Sequence, residues 1–181
     1  MDPQRALLKH FLAAIAYRTQ KALRGASASF ADFRAGANVR TPQELVRHMT
    51  GVLGYGRTFL LGGVWRPEPL PTLAEEIARF HQTLEDLGRL FEENVPLRGV
   101  SEAQMLQGPL ADAMTHAGQL AMLRRLAGSP VPPENFIRAA IHASNLGGDQ
   151  PLPVAPDPGW SPDQPPEDLP SVRGKPLGHK D

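Results

Sequence analysis

Cysteine is absent from all 181 residues of the chain. Disulfides, thiolate metal sites and a cysteine nucleophile are therefore excluded, and any thiol chemistry must bring its sulfur on a substrate. An excess of either charge is absent too, since Lys+Arg and Asp+Glu stand at 19 each. Nucleic acid and an anionic membrane surface both need a basic field, so neither is expected as a partner. No apolar run approaches the roughly 20 residues that cross a bilayer. The opening "MDPQRALLKH" has an acid at position 2 and no basic-then-apolar leader, which gives a cytoplasmic protein as the expectation. Strand signals are missing as well: no segment alternates convincingly at period two, and no internal repeat is found.

Proline and glycine, by contrast, are plentiful and divide the chain into helical segments. Leu7, Leu8, Phe11, Leu12, Ile15 and Ala22 recur at helical spacing from Pro3 to about Arg24. "GASASFADFRAGANVR" then forms a long polar connection whose Phe30 and Phe33 should tuck against the helices. "TPQEL" opens a second helix, with Thr41 as N-cap, Pro42 first in the helix and Glu44 completing a capping box. Its stripe is Leu45, Met49, Val52, Tyr55 and Phe59, ending at Gly62-Gly63. "RPEPLP" breaks the chain before a third helix over 72–93.

A fourth helix is expected from about Ser101 to Ala127, capped by Ser101, stopped by Gly128 and bent or delayed by Pro109. "PENFIRAAIHASNL" reads as a short fifth helix. After Gly147-Gly148 nine prolines fall in 151–181, an extended tail. Leu152 and Trp160 suggest that its first half lies along the body, with residues beyond Pro165 loose. The expectation is an all-α four-helix bundle over 1–148 and a Pro-rich tail over 149–181.

Three polar residues stand where this pattern asks for apolar ones. At 100° per residue Met105, Asp112, Leu120, Leu123 and Ala127 lie within roughly 40° of His116, so Asp112 and His116 fall in the middle of the buried stripe. Their i,i+4 spacing sets one above the other. His48 is likewise placed mid-stripe on the second helix. A buried unpaired carboxylate is costly, and a divalent cation held by His48, Asp112 and His116 resolves the cost. Two imidazoles and a carboxylate also leave open coordination positions. Ordinary readings stand beside this one: His48 as a satisfied core histidine, and Asp112–His116 as a hydrogen-bonded pair. His81, bordering the third helix's stripe, is a reserve ligand. His10, His142 and His179 read as structural or solvated, Glu44 as a capping residue, and Arg18 as a snorkelling side chain on the apolar side of the first helix.

Two motifs resemble the DinB-like four-helix-bundle proteins, which include the YfiT-type metal-dependent hydrolases. The first is Pro-x-Glu-Leu-x-x-His, here "PQELVRHM"; the second is His-x-x-x-His-x-Gly-Gln, here "DAMTHAGQL", followed by "LRRLAG". The resemblance spans roughly 4–145. It implies an up-down-down-up bundle and a divalent metal on three histidines, which by motif position are His48, Asp112 and His116. Position 112 departs from the family's histidine. An aspartate there keeps a ligand and shifts preference toward Mn²⁺ or Fe²⁺, with Zn²⁺ and Ni²⁺ still allowed. Gln119 matches the family's glutamine and is expected beside the ligands as a donor.

The functional expectation is a metal-dependent hydrolase or thiol S-transferase acting on a small-molecule substrate, with a low-molecular-weight thiol as one cosubstrate and Tyr55 as a proton donor. The alternatives are a non-catalytic metal-binding or stress-associated bundle and, against the resemblance, a non-haem iron oxygenase. A symmetric homodimer is the expected assembly.

Overall fold

A computed structural model describes residues 1–163. Asp2 starts the first helix: its carboxylate accepts from the backbone N–H of Gln4 at 2.8 Å and of Arg5 at 3.3 Å, while Pro3 takes the first helical position. This helix, α1, runs Pro3–Leu23; α2 runs Pro42–Leu61 and α3 Leu73–Glu92. Reciprocal capping boxes, Thr41 with Glu44 and Thr72 with Glu75, set the starts of α2 and α3. Between α1 and α2, the 3-10 helix Ala28–Asp32 carries Phe30 into the core, with Phe33 packed against it.

The fourth rod is broken. It comprises α4, Glu102–Met105, a π-type turn over Leu106–Leu110, and α5, Ala111–Leu126. Ser101 caps α4 as expected. Pro109 has no N–H and crowds the preceding turn, and Gly108 leaves helical geometry at φ −90°, ψ −105°. Any side chain at position 56 would sit 3.1 Å from Pro109 Cγ, so Gly56 lets the broken segment lie against α2.

Contacts join α1 to α3, α3 to α2, α2 to α5 and α5 to α1. The rods therefore close a ring in which the sequence neighbours α1 and α2 are not adjacent, which is what the long 24–41 connection permits. Leu12, Ile15, Met49, Leu53, Phe80 and Leu120 fill its centre with no exposed surface. This is an all-α bundle, and among the described residues no helix is long and apolar enough to cross a membrane. Two cationic side chains serve as internal struts. Arg124 is buried and donates to the carbonyls of Ala22 and Arg24 at 3.2 and 3.1 Å, capping the end of α1. Arg5, also buried, pairs with Glu102 at 3.2 Å.

The expected fifth helix does not form. Residues 129–160 are instead an irregular strap. Lys21 Nζ donates to the Pro132 carbonyl, and Arg24 reaches the carbonyls of Gln150 at 2.5 Å and Pro151 at 3.2 Å. The strap also pairs with itself, Asn135 N–H to the Ala155 carbonyl at 3.1 Å and Asp157 N–H to that of Pro133 at 3.0 Å. Leu146 packs onto bare backbone at Gly88, where a side chain would collide with Leu146 Cδ1 at 2.1 Å. A helix of this length is marginal in water, and these contacts satisfy the backbone without one. Of the two tail residues expected on the body, Trp160 is partly buried beside Arg125 and Leu152 is exposed. The expectations for residues beyond Pro165 and for His179 lie outside the described residues.

Candidate metal centre

His48 sits in the second turn of α2, Asp112 in the first turn of α5 and His116 one turn later. The α2–α5 contact brings the three together: one ligand atom from each lies within 4.8 Å of the others. That is close to the span one ion bridges with two bonds of about 2 Å each. The imidazoles meet edge to face, with centroids 4.7 Å apart and planes at 74°.

The hydrogen bonding of His116 decides which of its nitrogens is available. Its Nδ1 lies 2.8 Å from Gln119 Oε1. An amide oxygen only accepts, so Nδ1 carries a proton, and in the neutral ring Nε2 is the nitrogen that presents a lone pair. Gln119 thus orients the ring as an acceptor, where a donor was expected. Nε2 is 3.1 Å from Asp112 Oδ1, yet the pair lacks the alignment of a hydrogen bond, and Nε2 remains a buried polar atom without a partner. Two electron-rich atoms at that distance favour a cation between them. Burial, then the nearby Arg40 and His116, hold His48 below the ordinary imidazole value against the pull of Asp112. His48 is therefore neutral at pH 7, the form that ligates a metal.

The burial of the set differs from expectation. His116 is only 8 % exposed, but the Asp112 side chain is 49 % exposed. The buried face of α5, Ala113, His116, Ala117, Leu120, Leu123 and Arg124, is centred near Leu120 rather than His116, and Asp112, roughly 80° from Leu120 at 100° per residue, falls at its rim. The acid reaches the buried imidazole from the solvent side, so its desolvation cost is small. His48 is likewise at the margin of its helix, whose buried positions include Leu45, Val46, Met49, Leu53 and Leu60, while Tyr55 is 58 % exposed.

The rim opens into a cavity of about 490 Å³ lined by His48, Val52, Tyr55, Gln107, Pro109 and Asp112. On its other side His48 borders a second recess, of about 500 Å³, with Arg34, Arg40, Glu44 and Arg47. Sequence reading missed Gln107 and Arg40, because both stand outside regular helix and carry no periodic signal. His81 is no ligand: it is buried on α3 and its Nδ1 donates to the Leu146 carbonyl at 2.8 Å. His10 and His142 are exposed and stand outside the cluster. Comparison with protein-family models, curated proteins and solved structures returns no match for the chain.

Proposed function

We infer that the chain is a divalent-metal-dependent enzyme of DinB-like type, with His48, Asp112 and His116 as ligands. The observation that carries this reading is His116 Nε2, buried, unpartnered and 3.1 Å from a carboxylate oxygen, beside a second neutral imidazole. The donor set suits Zn²⁺, Ni²⁺, Mn²⁺ or Fe²⁺. Two of the three candidate ligands, His48 and Asp112, line an open cavity, which also favours a reactive site over a closed structural one.

Bound there, such an ion would supply Lewis acidity, lowering the pKa of a water or an incoming thiol toward neutrality. The chain's own residues would do the rest. Gln119 holds the His116 ring in the ligating tautomer. Val52 and Pro109 give the cavity an apolar wall for the body of a small substrate. Tyr55, which lines the same cavity and is largely exposed, would be the proton donor to a leaving group. Hydrolysis and thiol transfer share these requirements.

Elemental analysis of untagged protein after equilibration with each of the four ions should find close to one ion per chain. Asp112→Asn, at an exposed position, and His116→Ala should each lose it, with His142→Ala unchanged. Absence of stoichiometric ion in the parent protein would end the proposal.

A further inference from the structure

On the opposite side of α5 lies a cavity of about 330 Å³, roofed by the strap and walled by α1 and α5. Its surface is mainly apolar: Ala117, Ala121, Met122, Val131 and Phe136. Four charged residues border it, namely Arg18, Lys21, Arg125 and Glu134.

The charges are not equivalent. Glu134 is occupied, both of its oxygens lying within 2.8 and 3.0 Å of the Tyr17 hydroxyl. Burial and the Glu134 hydrogen bond raise the Tyr17 pKa, so that hydroxyl stays protonated as the donor. Lys21 is buried and donates to the Pro132 carbonyl, and it shares the field of Glu134 with Arg18, so one acid faces two cations and the cavity keeps a positive excess. Arg125 is exposed at the mouth, toward Trp160. Arg18 is left. Its guanidinium carbon lies over Phe136, 3.8 Å from the ring centroid, and its one hydrogen-bond contact among the described residues is a long one to Met114 Sδ at 3.8 Å. No carboxylate of the described residues lies within ion-pair distance of it.

A planar cation pre-oriented on an aromatic face, lacking an anion and opening onto apolar walls, matches a ligand with one carboxylate and a hydrocarbon body. A phosphate dianion is less suited, because only one free guanidinium stands inside and Glu134 is near. We propose that this cavity is a binding site for a small apolar monocarboxylate, with Arg18 as its bidentate carboxylate receptor. The site is separate from the metal ligands, none of which line it.

The experiment is calorimetric titration of the full chain, stripped of metal, with 3-phenylpropionate, octanoate and the corresponding neutral amides. Each acid should bind roughly tenfold or more tightly than its amide. Arg18→Gln should bring the acid down to the level of the amide. Gly118→Leu places its side chain at the cavity wall, where an added Cβ meets nothing within 4 Å, and should weaken acid and amide alike. His116→Ala should leave both affinities unchanged. Equal binding of acid and amide, no binding of either acid at millimolar concentration, or loss of acid binding in His116→Ala would overturn the assignment. The acid–amide contrast and the Gly118 variant keep the test decisive if Arg18→Gln folds poorly.

Discussion

The two sides of α5 treat a polar group among apolar neighbours in different ways. Toward α2, His116 has one nitrogen tied to Gln119 and the other left bare beside Asp112, with His48 across the gap. Toward α1, Glu134 and Lys21 are satisfied within the protein and a single cation, Arg18, is left facing a hydrocarbon-walled space. One side gathers electron pairs and so asks for a cation. The other leaves a positive charge and so asks for an anion. Electroneutrality of the whole chain hides both, because the two imbalances are local and opposite in sign.

The comparison can be broken by variants that silence one side alone. The largest effect is expected from His116→Ala, which should abolish metal binding while carboxylate titration on the α1 side is unchanged; parallel loss of both would show that α5 does not separate them. Glu76→Gln, away from both sites, sets the scale for global stability. Glu76 is fully buried and held by Arg47 at 2.6 Å and by Arg79. Losing one partner of a fully buried pair costs ~3–5 kcal/mol. Both arginines here keep some exposure, so about 2–3 kcal/mol by chemical denaturation is expected.

The same residue predicts an acid limb. Burial pushes the Glu76 carboxyl up, but the hydrogen bonds from Arg47, the Leu70 N–H and Arg79 outweigh it and hold it below the ordinary range. Its stabilisation is therefore complete above the unfolded value of about 4.3. It is lost as pH falls through the lower folded value, and Glu76→Gln should flatten that limb.

Gln119→Ala sharpens the metal side. Freeing the His116 ring should weaken the ion by roughly 10- to 100-fold, the usual cost of losing a partner that orients a ligand. The smallest effect is reserved for His81. Burial lowers its pKa, against the Leu146 carbonyl and Glu85, and its Nε2 is buried without a partner. A histidine depressed in the folded state contributes stability above its unfolded value of about 6.5 and loses it as pH falls toward the folded one. Thermal melts from pH 7.5 to 5.5 should decline, and His81→Gln should remove part of that slope.

Much of the bundle was legible from local signals. The Thr41–Glu44 box, the "RPEPLP" break and the Ser101 cap act within a few residues, so composition alone locates them. The three candidate ligands were legible for a related reason, as polar side chains interrupting apolar periodicity. Their burial was not. A periodic count tells which residues share a face but not how deeply each is covered, and the face that α5 turns inward is centred near Leu120, which leaves Asp112 at the rim. The strap was misread as helix because its capping partners, Lys21, Arg24 and His81, lie over 60 residues away in sequence.

The sequence by itself determined where the four main rods begin, the absence of a thiol of the chain's own and which three residues could share an ion, since these follow from residue type and spacing. Only the tertiary structure decided that α2 and α5 bring those residues together, that His116 Nε2 is left bare, and that Arg18 faces a cavity. Those are properties of distance and desolvation between segments far apart in the chain, and no local pattern encodes them.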